Sequence, residues 1–456
     1  MTTSHQHSLP NTPNIPKLAS KAMVKYYANY QQFNHFFTDK LCACVNRMAE
    51  KLDPSSQISV YPDATLKTNK LPTGVACISE PSETILLPQL LRDPGCGFLT
   101  FKIEFTTQPN SNWQQEAGQL LEKLVNDETV SKESYTLSNE KLREALEQGL
   151  YALNLSNTEM LPFINRMFPV DSYLFNTTDA EIEAMQTEFL AITNTVEIRK
   201  PYKLIQTEIL ENNQIDENCF IGFIHTGSHV FPRILTERFF YNIAEYSDLN
   251  HLFTIEEIND GLFGVHYETA LGREFYAWIN AAMNYALVSR YYAYKRIKDA
   301  LENTFDCKLT IISDNVHAGV FEKNNKIYSV RGVQSLTNPH TETPIISLLA
   351  GQRETIAALV VAGTHSAKHH DFYAHGTGNH ILENYNYENN FSKEEAHNYM
   401  HFAKNTFYNS EPDYASCLAY TSHLLSSLEY FNQINLAKPI ALLSPFINIQ
   451  SEWLKS

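Results

Sequence analysis

Asp93-Pro94-Gly95-Cys96-Gly97 sets a carboxylate and a thiol three residues apart on a bend that two glycines let tighten. As a thiolate, Cys96 can bridge two divalent ions while Asp93 holds one of them. Taken alone, the pentapeptide reads more commonly as a tight turn around a small buried cysteine. Other polar groups recur in the same setting, each just past an apolar strand. They are Asp63, His225 in His225-Thr226-Gly227-Ser228-His229, Asp314 with Asn315, and His375 in Ala374-His375-Gly376-Thr377-Gly378-Asn379. Loops at strand ends are where α/β folds assemble their sites. One histidine there is usually a satisfied turn residue. Five such positions, three with a neighbouring glycine, point to a shared site.

The elements that must carry these groups follow from periodicity. Strand, loop and strand are read over Ile58–Cys77, and a half-buried strand over Phe98–Phe105, where FLTFKIEF alternates apolar and polar. Short strands are read at Thr195–Ile198, Tyr202–Thr207 and Cys219–Ile224, the last running into His225. Lys308–Ile312, Ile327–Val330, the apolar Thr355–Ala362 and Ile440–Ile449 complete the set. A tyrosine- and phenylalanine-rich helix is expected over Lys21–Leu52, and a largely helical segment over about 112–190. The longest helix runs from Ala270 to about Asn303, with Asn280 and Asn284 one turn apart and placed to bond a neighbouring loop. Further helices are read at Lys393–Tyr408 and Tyr414–Gln433. Residues 1–16, with three prolines among Ser, Thr and Asn, read as a flexible tail. Without a repeat or a clean linker, one domain over 17–456 is expected.

Composition narrows the classes. With 456 residues, 43% hydrophobic, 25 Tyr and 26 Phe, the chain can bury a sizeable core. A formal charge of −16 argues against a protein that coats nucleic acid generally, yet leaves room for a local basic groove. Seven scattered cysteines form no secretory framework and suit a reducing compartment. No signal peptide and no membrane-spanning apolar run are visible, so a soluble, cytoplasmic protein is expected.

The motifs taken together resemble the RtcB family of GTP-dependent RNA ligases, from about residue 58 to 450. VYPDATLKTNKLPTGVA resembles the family's PDxH…G-x-PxG segment, DPGCG its DxGCG, and FIHTGSH its H-S/T-G-S-R. NAAMNYALVSR is similar to its long helix N-A-A-x-N-x-A-x-x-N-R; SDN stands for its H-N, and AHGTGN for its HGAGR. The resemblance implies a mixed α/β (α+β) fold, with central β-sheets flanked by helices and the site at strand ends. It implies joining of RNA ends bearing a 2′,3′-cyclic phosphate or 3′-phosphate to a 5′-hydroxyl, with GTP and one or two Mn²⁺ ions. The guanylate would be carried on His375, with Asp63 ordering the site or moving a proton. A neutral imidazole is a good nucleophile toward phosphorus whose charge a metal masks. The implied metal ligands are Asp93, Cys96, His225, Asp314 and Asn194; Glu197, Asn315, Gly376 and Gly378 would contact the nucleotide.

Departures from the family pattern are as informative. Asn194 and Asp314 stand where the family has metal-binding histidines, Thr65 and Asn379 replace a histidine and an arginine, and Gln450 replaces a lysine that contacts guanine. A carboxylate at 314 would harden the site toward Mn²⁺, whereas a neutral amide at 194 is a weak ligand. These changes support a second reading, a catalytically impaired pseudo-ligase that binds RNA or a partner; a phosphoesterase using the same metals is a third. Candidate phosphate contacts are Lys67, Lys70, Arg290, Lys295, Arg296, Lys298, Lys323 and Arg331, each equally at home on a solvated face. His365, His369, His370 and Asp371 read as a solvated loop rather than a second metal box. His397 and His401 read as a surface pair, Cys42 and Cys44 as core, and the Tyr285–Tyr294 stretch as packing.

Overall fold

The computed structural model describes residues 22–29, 33–66, 71–88, 92–126, 135–239, 253–337, 344–364, 372–377, 382 and 385–452. The tail expected at 1–16 therefore lies outside the described residues, as do Lys67, Lys70, the 365–371 loop, Gly378 and Asn379.

Two mixed-order sheets organise the chain, with strands numbered here along the sequence. The first takes the order β1 (Met23–Tyr26), β2 (Gln57–Leu66), β3 (Pro72–Ser79), β11 (Lys326–Arg331), β10 (Ala318–Lys323). The second runs β13 (Ser347–Leu349), β14 (Ala357–Ala362), β17 (Ala437–Gln450), β6 (Thr195–Leu204), β7 (Phe220–Thr226), β5 (Gly97–Phe105), β9 (Cys307–Val316). In the second sheet these neighbours pair antiparallel, and β16 (Phe407–Tyr408) lies parallel to β17. Two small ribbons pair β12 (Val333–Ser335) with β15 (Phe372–Ala374) and β4 (Ile85–Leu86) with β8 (Val265–His266). The fold is mixed α/β, with helices packed on central sheets, as the resemblance implies.

One residue joins a strand of the first large sheet to a strand of the second along the chain. β9 ends at Val316, β10 begins at Ala318, and His317 is the joint. Its backbone is clamped on both sides: its N–H donates to Cys96 O at 2.8 Å, and its carbonyl accepts from Gly332 N–H at 2.7 Å. A pocket residue held through its own main chain has little freedom to drift.

The helix Ala270–Thr304 supports this junction. Thr269 caps it by accepting the Gly272 N–H at 3.0 Å. Asn284 does what its spacing implied: it accepts Phe168 N–H at 2.7 Å and donates to Leu146 O and Phe168 O, each at 2.9 Å. Asn280 donates to Pro169 O. These amides tie the helix to segments within the region read as helical, where helices Trp113–Asn126, Asn139–Gln148 and Asp179–Glu188 form. Tyr285, Tyr291 and Tyr294 are buried and serve packing.

Three local expectations are corrected. Lys21–Leu52 is not one helix: Met23–Tyr26 pairs in parallel with β2, and the helix proper is Asp39–Lys51, capped by Thr38. Residues 195–204 form one strand rather than two, because β17 pairs along its whole length on one side. β9 continues four residues past Ile312, for a reason that bears on the site.

Candidate metal and nucleophile site

Cys96 leaves the bend at the amino end of β5, and His225 sits opposite Phe98 near the carboxyl end of β7. Gly95 takes a left-handed φ of +84° and packs against the long helix at Ala282, Met283 and Ala286. Cys96 Sγ lies 3.3 Å from His225 Nε2, which in turn lies 3.2 Å from His317 Nε2. The ligating atoms of all three residues fall within 4.8 Å of one another. One sulfur and two imidazole nitrogens converging from three strand ends make a donor set for a divalent first-row ion.

Asp93 lines the same cavity and is bound to its neighbours. Its Oδ1 accepts from Ser228 N–H at 2.9 Å and from Ser228 Oγ at 3.2 Å. Gly227 permits this approach, since a Cβ there would fall 2.3 Å from Asp93 Oδ2. Burial raises the Asp93 carboxyl above its usual range, against the lowering effect of the Ser228 bonds. Burial, then the charge of Asp93, pushes the Cys96 thiol well up. Such a thiol reaches the thiolate form only with a cation beside it.

His317 was not singled out from the sequence, and it occupies the position expected of Asp314. The structure does not bring Asp314 to this group: its Oδ1 accepts Arg290 Nε–H at 2.7 Å and its Oδ2 accepts Arg290 Nη2–H at 2.9 Å. A carboxylate so engaged on both oxygens is a counter-ion. Burial pushes the His317 pKa well below its usual value, with the charges of His375, His225 and Arg290 acting the same way. The ring is therefore neutral, the form that ligates a metal. Its Nδ1 is buried without a hydrogen-bond partner, while its Nε2 faces His225 Nε2.

Asn194 is also close. Its amide Nδ2 donates to Cys96 Sγ at 3.6 Å, so it supports the sulfur rather than adding a charged ligand. Phe98 packs against all three imidazoles of the site, with centroid separations of 4.5 Å to His225, 4.8 Å to His317 and 6.1 Å to His375.

His375 follows β15. Its backbone N–H bonds Gly332 O at 3.3 Å and its carbonyl accepts Ala350 N–H at 3.0 Å. Its Nδ1 lies 2.6 Å from Asp63 Oδ2, a residue buried on β2. A carboxylate can only accept, so Nδ1 carries the proton and Nε2 presents its lone pair. A neutral imidazole held in this way has the orientation that attack through Nε2 requires. His375 and Asp63, far apart in the sequence, are thereby brought into direct contact.

Two cavities share a wall at this point. One, of about 250 Å³, is lined by Asp63, Glu197, Arg353, Gly376 and Gln450. The other, of about 410 Å³, is lined by Arg92, Asp93, Cys96, His317 and Arg331. Thr73, Asn194, His225 and His375 line both. Glu197 is buried and pairs with Arg199, whose Nε–H donates to it at 2.8 Å; Arg199 also donates to Gln352 O and Thr355 O, fixing the loop that floors the smaller cavity. Gln450 Oε1 accepts from Ser410 Oγ at 3.1 Å. Asn315 is not in either lining: it is buried and donates to Ser335 O and Ser347 Oγ, each at 2.8 Å. Among the expected phosphate contacts, Arg331 reaches the larger cavity, Arg290 and Arg296 are buried, and Lys298 pairs with Glu302.

His229 is structural. Its Nδ1–H donates to Glu188 O at 2.9 Å and its Nε2 accepts from Thr226 Oγ1 at 3.0 Å, with φ at +53°. Burial lowers its pKa to about 4. The unfolded chain binds this proton near pH 6.5 and the folded chain only near 4, so stability is lost as pH falls through that window. The full loss is roughly 3 kcal/mol. His229→Asn, which tolerates the left-handed φ, is expected to flatten the acid limb of urea-unfolding stability between pH 7 and 4. His317 contributes in the same direction in both proteins.

A mixed α/β protein with a Cys/His/His donor cluster beside an aspartate-oriented histidine is the class these features define. The family model for the tRNA-splicing ligase RtcB matches residues 55–415, and the chain belongs to that family of RNA ligases. No curated protein matches the sequence. No helix among the described residues is long and apolar enough to cross a membrane.

Proposed function

We propose that this chain joins RNA ends bearing a 2′,3′-cyclic phosphate or 3′-phosphate to 5′-hydroxyl ends, using GTP and Mn²⁺ and carrying the guanylate on His375. The observation that carries this reading is the 2.6 Å contact between His375 Nδ1 and Asp63 Oδ2, made on the wall common to two cavities. His375 Nε2 attacks the α-phosphorus of GTP, forming an N–P bond as the bond to pyrophosphate breaks. Asp63 keeps the proton on Nδ1 and balances the charge that grows on the ring. The smaller cavity takes the guanosine, bordered by Glu197, Gly376 and Gln450. The larger takes the RNA terminal phosphate, which Arg331 and Arg92 attract.

Cys96, His225 and His317 would hold one ion, with the Asp93 carboxylate next to them. When bound, the ion masks phosphate charge. Asn194, a hydrogen-bond donor to the sulfur, offers little to a second ion, which supports a one-ion site. Neutral Gln450 keeps a hydrogen-bonding amide where the family has a lysine, and weakens selection of guanine.

The test is incubation of the chain with α-phosphate-labelled GTP and Mn²⁺, followed by addition of RNA with matched ends. Acid-labile label on the protein, discharged into joined RNA, is the expected result. Label transfer with neither GTP nor ATP would leave a non-catalytic RNA-binding member of the family as the better reading, one that the Asn194 amide already favours.

A further inference from the structure

The three donors of the proposed metal centre come from three separate segments, and one guanidinium touches all three. Arg290, fully buried on the helix Ala270–Thr304, donates through Nη1 to Gly95 O and to Thr226 O, the latter at 3.2 Å. Through Nε and Nη2 it holds both oxygens of Asp314 at 2.7 and 2.9 Å. Gly95 precedes Cys96, Thr226 follows His225, and Asp314 lies on β9 three residues before His317. We propose that Arg290 is the positioning residue of the metal centre, setting the separation of Cys96, His225 and His317 by bonding the main chain or strand beside each.

The inference rests on the metal reading above and adds what holds it in register. Arginine suits the task because its planar fork sends rigid donors in several directions at once. Lysine offers one ammonium on a flexible stem and cannot hold a carboxylate in two places while reaching two carbonyls. Asp314 then has a defined job: it neutralises Arg290, so that a lone buried cation does not face the cluster. Arg290 places its hydrogen bonds on Gly95, Thr226 and the β9 carboxylate, so it sets the spacing of the donors through the segments that carry them.

The test is a Co²⁺ titration of the full chain, read by the near-ultraviolet thiolate-to-cobalt absorption, with circular dichroism and thermal unfolding alongside. Wild-type protein is expected to bind one Co²⁺ with this band. Arg290→Lys is expected to keep its secondary structure, lose about 10–100-fold in Co²⁺ affinity and show a weakened band. A folded Arg290→Lys with wild-type affinity and spectrum overturns the proposal. Should that variant fail to fold, Asp314→Asn, which keeps Arg290 in place but removes its counter-charge, is expected to weaken Co²⁺ binding by a smaller factor. Unchanged affinity there, or failure of both variants to fold, overturns it by making the pair a general element of the fold. Failure of the wild-type chain to bind Co²⁺ is a different result: it removes the metal reading, and the inference falls with it.

Discussion

Replacing His375 with alanine is expected to abolish transfer of the guanylate label to the protein, because His375 is the imidazole whose Nδ1 Asp63 holds at 2.6 Å on the wall between the two cavities. A nucleophile that is missing has no substitute within reach of the same phosphorus, so the loss should exceed about 1,000-fold. Asp63→Asn is the more discriminating variant. The carboxylate at 2.6 Å accepts the Nδ1 proton. An amide in its place can instead donate to Nδ1, which moves the proton to Nε2 and removes the lone pair that attacks. The shape of the site hardly changes while the tautomer does. Label transfer is therefore expected to fall on the order of 10³-fold with the fold intact. Circular dichroism and RNA binding should match wild type in both variants. Retained labelling in His375→Ala would place the nucleophile elsewhere.

What could be read in the sequence and what could not divide along a physical line. The strand at Gly97–Phe105 was legible from its pattern, although it is buried on both faces through Ile103 rather than half-buried, and Asp63, Cys96, His225 and His375, each near a strand end, meet in space. Read from the sequence, Ser313-Asp314-Asn315 looks like a loop, which ends β9 at Ile312. In the fold these three polar residues remain in the strand, each satisfied from a distance. Ser313 Oγ donates to Ile346 O, Asp314 accepts from Arg290, and Asn315 donates to Ser335 and Ser347. Nothing local in the chain announces those partners. Had the strand been carried on to Val316, His317 would have stood just past its end, in the same setting as the other site residues. The roles of Asp314 as a ligand and Asn315 as a nucleotide contact rest on the resemblance, in which Ser313-Asp314-Asn315 stands for the family's H-N. Arg290 is a parallel case: a lone arginine in a helix reads as a surface cation until the buried carboxylate that faces it, Asp314, is seen.

The second large effect separates His317 from Asp314. His317→Ala removes a nitrogen from the Cys96/His225/His317 cluster, and metal affinity is expected to drop by more than about 100-fold, beyond what outer partners of a metal usually contribute. The stability of the metal-free chain should change less, since the ring is neutral, its Nδ1 has no hydrogen bond, and its backbone clamp to Cys96 and Gly332 remains. Asp314→Asn should show the opposite signature. It leaves the donors in place but strips the charge that balances a fully buried guanidinium, at a cost of about 3–5 kcal/mol to folding. One ion per chain should still bind, with a more modest loss of affinity. Isothermal titration with Mn²⁺ and urea unfolding of the metal-free proteins read the two quantities separately. If Asp314→Asn lost the ion while keeping its stability, and His317→Ala bound it normally, the carboxylate would have to leave Arg290 to ligate. The donor set would then be the harder one of Cys96, His225 and Asp314, in place of two imidazoles and a thiolate.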